Sequence, residues 1–406
     1  QIGVIGSFNY GTSHNLNNIE RNAYLSSFDT LYKFNGTQAS QSVNWGGLFN
    51  IAYKTGNHSF SFKNVYNRSA DNDMVTLEGQ DVGYQYLDLK NFSTQYVEKV
   101  MYSSQVGGEH SFGNASFFNN PNESILMDWR AGYSRSIRDE PDYRRVKFSR
   151  NLADLEFEPN TPFSPEFVQT QNGDGTRVGR FFSYLDDEAY TGGLNLTIPL
   201  STIKFKTGFL AETRSRSFNA RSFTILKPDN LDESIDTILH DWQNPQRIFD
   251  EANFRNDGGF SIGEDSKLTD SYTAEENLYA AYFMVDAPFK LMGIDVRFIG
   301  GARYEDNLQV LDCYDQNQQP LKVDNLTQDF LPSVNFIIKT TESANLRLSA
   351  SQTLTRPSLR EYAPFSFYDY LQQALVQGNP NLKRSLIQNY DVRYEYFPNP
   401  GEVMSL

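Results

Sequence analysis

The stretch Ile294-Asp-Val-Arg-Phe-Ile-Gly-Gly-Ala-Arg-Tyr304 alternates between apolar and polar or small side chains with a period of two. This period puts Ile294 and Phe298 on one face, and Asp295, Arg297 and Arg303 on the other. Successive side chains of a β-strand point to opposite faces, so such alternation is typical of a strand and not of a helix. The stretch therefore predicts a strand with one apolar face and one charged face.

The same alternation recurs along the chain, at 125–133, 190–198, 203–211 and 390–396. The strands are paired around breaks predicted at 55–57, 199–202, 286–293, 340–344 and 398–401, with a longer break at 113–123. Between the pairs lie long polar connections, predicted at 151–180, 223–270, 313–327 and 356–386. Short turns at one end and long loops at the other are typical of outer-membrane barrels.

Composition agrees with a membrane barrel. Aromatic residues make up 14% of the 406 residues, yet the mean hydropathy is −0.56. The longest apolar run, 278–285, is much shorter than the roughly 18 residues of a membrane-spanning helix. Strands of a membrane barrel have a low mean hydropathy because only one of their two faces is apolar. Tyr66, Tyr133, Tyr190 and Tyr304 lie about one strand length from the short breaks, where an aromatic girdle belongs.

These patterns predict an all-β protein, a transmembrane antiparallel up-and-down β-barrel with short periplasmic turns and long extracellular loops. About 12 strands are expected in this chain. The surroundings are then outer-membrane lipid of a Gram-negative bacterium.

Motifs for enzymatic chemistry are missing from the sequence, so we expect no catalytic residue, no cofactor and no metal site. The four histidines, His14, His58, His110 and His240, have no ligand spacing, and the single cysteine, Cys313, has no partner for a disulfide. The net charge of −14 argues against a nucleic-acid partner, because phosphate binding needs clustered Lys and Arg.

The most acidic segment is 225–276, which contains 13 Asp and Glu against 4 Lys and Arg, a net charge of −9. We interpret it as a solvated external loop. The alternative is a site for Ca²⁺ or a cationic ligand, because clustered carboxylates suit hard cations, although no EF-hand spacing is present.

Four blocks near the end of the chain carry a family resemblance. They are Asn345-Leu-Arg-Leu-Ser-Ala-Ser-Gln-Thr-Leu-Thr-Arg-Pro357, Leu359-Arg-Glu-Tyr-Ala-Pro364, Gly378-Asn-Pro-Asn-Leu-Lys383 and Asn389-Tyr-Asp-Val-Arg-Tyr-Glu-Tyr-Phe-Pro398. In this order they resemble the C-terminal half of TonB-dependent receptor barrels, in particular the type common in the Bacteroidetes. Earlier blocks, such as Asp139-Glu-Pro-Asp-Tyr-Arg-Arg145 and Gly300-Gly-Ala-Arg-Tyr-Glu305, are similar to the same family.

The resemblance implies energised import of a scarce solute, whether siderophore, vitamin, saccharide or peptide. Receptors of this family close about 22 strands around an N-terminal plug that the TonB-ExbB-ExbD complex pulls. By this comparison residues 1–406 are one barrel domain, a fragment without the plug, the TonB-contacting segment and the last strands. A surface lipoprotein is a further partner found with such receptors. The ligand-binding residues are not readable from the sequence, because external loops carry no recognisable code.

Two alternatives come from other classes: a β-sandwich adhesin, whose apolar faces would pack sheet against sheet, and an outer-membrane enzyme with carboxylates in its lumen. Inward-facing charge distinguishes the barrel from the sandwich. We expect Arg297, Arg303, Asp391, Arg393 and Glu395 to line a wet interior.

Overall fold

The computed structural model describes residues 1–25, 27, 29–83, 86–113, 124–167, 178–369, 374–399 and 401–405. Its strands are β1 (Ile2–Tyr24), β2 (Thr30–Thr55), β3 (His58–Asp81), β4 (Leu87–Phe112), β5 (Ile125–Asn151), β6 (Ser164–Pro165), β7 (Gly179–Leu200), β8 (Ile203–Leu226), β9 (Ser261–Glu264), β10 (Ser271–Leu291), β11 (Ile294–Tyr314), β12 (Pro320–Thr341), β13 (Ala344–Thr355), β14 (Ser366–Asp369), β15 (Ala374–Gln377), β16 (Ser385–Tyr396) and β17 (Met404–Ser405).

The helices are short. They are α1 (Glu233–Leu239), α2 (Leu359–Tyr362) and 3₁₀ turns at Asp154–Glu156, Pro245–Phe249, Glu251–Asn253 and Leu268–Asp270. Within the described residues, no helix has the length and apolar character needed to cross a membrane.

One antiparallel sheet of 15 strands dominates the molecule, and its main path follows chain order, β1-β2-β3-β4-β5-β7-β8-β10-β11-β12-β13-β16-β17. The short strands β6 and β9 pair at the ends of β5 and β8, and β14 forms a separate hairpin with β15. Every pairing in the main path is antiparallel between consecutive strands, which is the up-and-down topology predicted from the sequence. The path contains 12 long strands in the described part of the chain, as expected.

The turns at one end are shorter than predicted. Strand pairs are joined by two-residue turns at 56–57, 201–202, 292–293 and 342–343. Of the break predicted at 286–293, only 292–293 is a turn, because β10 continues to Leu291. Met292 and Gly293 both have positive φ, 51° and 86°, as a type I′ hairpin turn requires. The predicted break at 113–123 lies outside the described residues except for Gly113.

At the opposite end, three long connections are present at 152–178, 227–270 and 356–384. The fourth prediction, a long connection over 313–327, is wrong: β11 and β12 continue to a connection of only 315–319. The alternation of side chains continues to the end of β11, where Leu311 and Cys313 are both buried on one face. Strands of 21 to 27 residues in most pairs therefore extend far beyond the roughly 10 residues that cross the hydrocarbon.

The register defines two faces. The face that carries Phe8, Phe49, Phe62, Phe209 and Phe283, here called the outer face, exposes these side chains by 40% to 71%. An exposed apolar band of this extent is unfavourable in water and suits lipid. Farther from the short turns, aromatic rings follow one another across neighbouring strands: Trp45 and Tyr66 have centroids 5.1 Å apart, and Tyr133 and Tyr190 also 5.1 Å. The predicted aromatic girdle is thus present.

The opposite, inner face carries charge. Arg297, Arg303, Asp391, Arg393 and Glu395 all fall on it by register, as predicted. Arg297 pairs with Asp286 at 2.6 Å, and Arg393 pairs with Glu395 at 3.3 Å. Among the described residues no second long sheet covers the apolar outer face, so the β-sandwich alternative is wrong.

The acidic segment is more ordered than expected. Ile235, Leu239, Ile248 and Phe260 are at most 3% exposed and pack together with Phe148 at the end of β5. Its charges are partly paired on the surface, for example Arg255 with Asp232 at 2.7 Å. We call 227–270 the cap. The prediction of a solvated loop is correct for its charges but wrong for its apolar residues, which form a small core of their own.

Candidate ligand-binding cavity

A cavity of about 600 Å³ lies on the inner face, at the end of the sheet that carries the long connections. Its walls come from strands β4, β5, β7 and β8, from 265–270, and from Gln316, Arg360, Phe365, Ser366 and Gln377. This volume is in the range of sites for small ligands. The cavity is lined by both ionic and aromatic side chains: Gln95, Arg138, Glu140, Tyr143, Arg145, Phe181, Ser183, Phe218, Asp265, Lys267, Asp270, Arg360 and Phe365.

One wall exists because the connection 356–384 folds back over the inner face. Leu359, Tyr362 and Phe365 of this segment are at most 4% exposed and pack against Phe218 and Tyr272 of the sheet. The Nδ2 atom of Asn325 donates a hydrogen bond to the Tyr362 hydroxyl at 2.7 Å. Apolar burial and this polar contact together hold α2 against the strands.

Buried ion pairs fix the two ends of the same connection. Arg384 Nε donates to Asp329 Oδ1 at 2.6 Å, and Arg356 Nη2 donates to Asp329 Oδ2 at 3.2 Å. Arg356 also lies 2.8 Å from Glu305 of β11. The Asp329 side chain is only 2% exposed. A buried carboxylate needs compensating charge, and the two arginines supply it from the two ends of 356–384.

The carboxylate of Glu140 is fully engaged within the cavity wall. It is 3% exposed, lies 3.0 Å from Arg138 Nη1 and accepts a hydrogen bond from the Ser183 hydroxyl at 2.8 Å. Gln95 donates to its other oxygen. Both oxygens of Glu140 are thus engaged by protein side chains, and Glu140 links β4, β5 and β7.

Asp270 closes a turn at the edge of the cavity. Its Oδ2 accepts a hydrogen bond from the Lys267 backbone N–H at 2.8 Å, and its Oδ1 from the Thr269 hydroxyl at 3.3 Å. Burial raises the pKa of the Asp270 carboxyl above its ordinary value, although both hydrogen bonds act in the opposite direction.

Two arginines bring positive charge to the cavity. The Arg360 guanidinium stacks over the Phe365 ring at 4.7 Å, and burial lowers its pKa. Arg145 is 5% exposed, and its Cζ lies 5.5 Å from the Tyr143 ring centroid. With Phe181 and Phe218 also in the walls, the cavity combines cations with flat apolar surfaces.

Within the described part of the chain, no group of three or more His, Cys, Asp or Glu side chains is placed to hold a metal ion. The Ca²⁺ alternative for the acidic segment gains no support from this geometry. Two histidines that are far apart in sequence do meet: His58 Nδ1 and His110 Nδ1 are 3.1 Å apart, and Trp129 Nε1 donates to His110 Nε2 at 2.9 Å.

Sequence reasoning assigned no ligand-binding residue, and the cavity shows why. Glu140, Tyr143 and Arg145 lie in the block 139–145 that carried the family resemblance, so the block was visible but its role was not. Ser183 and Gln95 join Glu140 from 43 and 45 residues away. The charged and aromatic residues of 138–145 could have indicated a binding site in the sequence, because they lie on β5 beyond the aromatic girdle.

The single up-and-down sheet, its apolar outer face and its charged inner face define an outer-membrane β-barrel protein. Residues 239–405 match the model of a family described as the Outer membrane protein beta-barrel family. The protein is therefore located in the outer membrane. No curated protein matches the chain.

Two solved structures with low similarity are receptors from Acinetobacter baumannii. The siderophore receptor PiuA shares 9% identity with a TM-score of 0.41, over 96% of this chain and 54% of that one. BauA, the ferric preacinetobactin receptor, shares 9% identity with a TM-score of 0.20, over 95% of this chain and 68% of that one. The chain thus spans about half the length of PiuA.

Proposed function

We propose that this chain forms the wall of a TonB-dependent outer-membrane receptor that captures a small solute and imports it. The observation that carries this proposal is the cavity of about 600 Å³ at the loop end of the inner face. A purely structural barrel has no need of long connections that fold inward and are held by buried ion pairs. A receptor needs them, because binding residues are commonly placed on loops positioned by a rigid scaffold.

The finer features of the proposal rest on the ordered sequence blocks in 345–398. They favour a receptor of the type common in the Bacteroidetes, whose plug domain is coupled to the TonB-ExbB-ExbD complex. A surface lipoprotein that helps to collect the solute belongs to the same proposal. The match of residues 239–405 to an outer-membrane barrel family is consistent with these features.

The proposal also holds that the protein carries its solute without changing it chemically. The acidic side chain most deeply buried in the cavity, Glu140, is engaged by Arg138, Ser183 and Gln95. A general acid or base must reach the proton that it transfers, and Glu140 is not free to do so. Turnover of lipids or glycans by the purified receptor would contradict this part of the proposal.

The proposed function is tested by comparing three strains: the parent, a strain without this receptor and a strain without TonB. Solutes that each strain removes from a defined medium are measured by mass spectrometry. We expect at least one small solute to be removed by the parent and left by both mutants. If the receptor mutant loses uptake of a solute that the TonB mutant still imports, the protein is a barrel of another kind, such as a passive channel.

A further inference from the structure

Arg145 occupies an unusual position in the cavity. It lies on β5, in register with Ser93 of β4 and Gly179 of β7. Only 5% of the residue is exposed, and its side chain lines the cavity. Arginine is seldom buried to this degree unless an anion accompanies it.

That anion is not supplied by the part of the protein that the structure describes. The Arg145 Nε atom is buried and has no hydrogen-bond partner there, and no carboxylate of the described residues forms an ion pair with the guanidinium. The ring of Tyr143, 5.5 Å away, is a weak substitute for a counterion. A buried cation without a counterion is destabilising, so the site favours an incoming anion.

The acidic groups of the cavity do not cancel this charge. Glu140 is committed to Arg138, and Asp270 to its own turn. Asp265 accepts a hydrogen bond from Thr224 with one oxygen, while its other oxygen, Oδ1, is buried and without a partner. The cavity thus offers a donor for an anion and, separately, an acceptor for a ligand O–H or N–H.

We propose that Arg145 binds the anionic group of the imported solute, and that this solute is a small carboxylate or phosphate compound with a flat apolar part and a hydrogen-bond donor. The guanidinium fork matches the two oxygens of either anion. The flat part packs against Phe181 and Phe218, and the donor faces Asp265. This inference deepens the proposed function, because it names the ligand class of the same site.

The test uses three probes that isolate the charge: 4-hydroxybenzoate, phenyl phosphate and the neutral 4-hydroxybenzamide. Binding to the purified full-length receptor in detergent is measured by calorimetry for the parent protein, Arg145→Gln, Arg145→Lys and Arg68→Gln. Arg68, paired with Glu98 at 2.6 Å, is the matched control because it lies on the outer face. Heat-modifiable gel mobility of each variant confirms that the barrel has formed.

We expect 4-hydroxybenzoate or phenyl phosphate to bind the parent at least about tenfold more tightly than the amide, and Arg145→Gln to abolish this difference. Arg68→Gln should bind as the parent does, and Arg145→Lys should retain part of the preference. Whichever anion binds more tightly identifies the source of the charge. Equal binding of all probes, unchanged binding by Arg145→Gln, or no saturable anion binding by the parent overturns the inference.

These outcomes are separate from the fate of the proposed function. If uptake depends on TonB but binding shows no preference for anions, the proposed transport function stands and the binding role of Arg145 is wrong. Anion binding without TonB-dependent uptake keeps Arg145 as a binding residue and removes the transport proposal.

Discussion

Gly301 lies in β11 at a point where the backbone of β10 is close. A Cβ atom at this position would meet the carbonyl oxygen of Phe283 and the Cα of Met284. Backbone atoms of a sheet cannot yield as a flexible side chain can, so the residue must remain glycine. Glycine inside a strand often marks a close approach of another backbone, and the pair Gly300-Gly301 is such a signal in the sequence. The sequence could not show which strand lies against Gly301, whereas the register pairs it with Met284 of β10.

Replacing Gly301 by Ala is expected to destabilise the barrel by about 1–3 kcal/mol, because two strands must move apart. Gly192→Ala is the control, since a Cβ there meets nothing within 4 Å. The midpoint of urea-induced unfolding of the full-length receptor, followed by tryptophan fluorescence, measures the difference. Equal midpoints for the two variants would show that the close contact is absent.

Asp270 makes the edge of the cavity sensitive to pH. Burial raises the pKa of its carboxyl above the ordinary value of 3.8, so the folded form binds the proton more tightly than the unfolded form. The stability that this group contributes is therefore complete below pH 3.8 and is lost as the pH rises through the raised pKa. Asp270→Asn keeps an acceptor for the Lys267 N–H and removes the titration.

We expect segment 265–275 of the parent to exchange its amide hydrogens faster than the same segment of Asp270→Asn at neutral pH, and equally fast below pH 3.8. Comparing the two proteins at the same pH removes the intrinsic pH dependence of exchange. Slower exchange in the parent at neutral pH would mean that the hydrogen bonds from Lys267 and Thr269 outweigh the cost of burial.

At the scale of elements, the connection 356–384 shows how much of the site follows from the sequence. A proline disfavours continuation of a strand because it cannot donate to the ladder, and β13 ends at Thr355, just before Arg356-Pro357. The dipeptide Asn379-Pro380 favours a turn, and Asn379 Oδ1 accepts a hydrogen bond from the Asn381 N–H at 2.9 Å. Local signals therefore located the ends of the segment. Both ends of the segment meet Asp329 through Arg356 and Arg384, and no local pattern in the sequence connects these three residues.

Replacing Asp329 by Asn should release this connection from the sheet. Two arginines lose their shared buried carboxylate, a change that costs about 3–5 kcal/mol when a pair is fully buried and less where Arg384 is partly exposed. Limited proteolysis of the full-length receptor should then cut within 356–384 more rapidly than in the parent.

Asp324→Asn is the matched control, because Asp324 lies on the same strand with its side chain 59% exposed and its partner Lys322 at 3.8 Å. An exposed pair of this kind contributes little. If Asp329→Asn and Asp324→Asn are cleaved at the same rate, the ion pairs do not hold the segment in place.

At the scale of the whole molecule, the sequence predicted the fold class because the alternation is a local property. Twelve long strands and the charged inner face followed from it directly. The ordered core of the cap did not, because Ile248 and Phe260 are buried against Phe148, about a hundred residues earlier in the chain. The strand ends near 314 and 320 were also missed: Leu311 and Cys313 continue the alternation, but the polar residues that follow occur equally in strands and in loops.

The central claim is that one face of this sheet meets lipid and the other meets water. β8 allows the most direct test, with Phe205, Thr207, Phe209 and Ala211 on the outer face and Lys204, Lys206 and Leu210 on the inner face. In a Cys313→Ser background, single cysteines at these seven positions are labelled with a nitroxide in the full-length receptor in bilayers.

Collisions of each nitroxide with oxygen, which concentrates in lipid, and with a water-soluble nickel complex are then compared by electron paramagnetic resonance. The account predicts that accessibility alternates with a period of two, oxygen dominating at 205, 207, 209 and 211 and nickel at 204, 206 and 210. Accessibility that does not alternate, or nickel dominating at both faces, would contradict it.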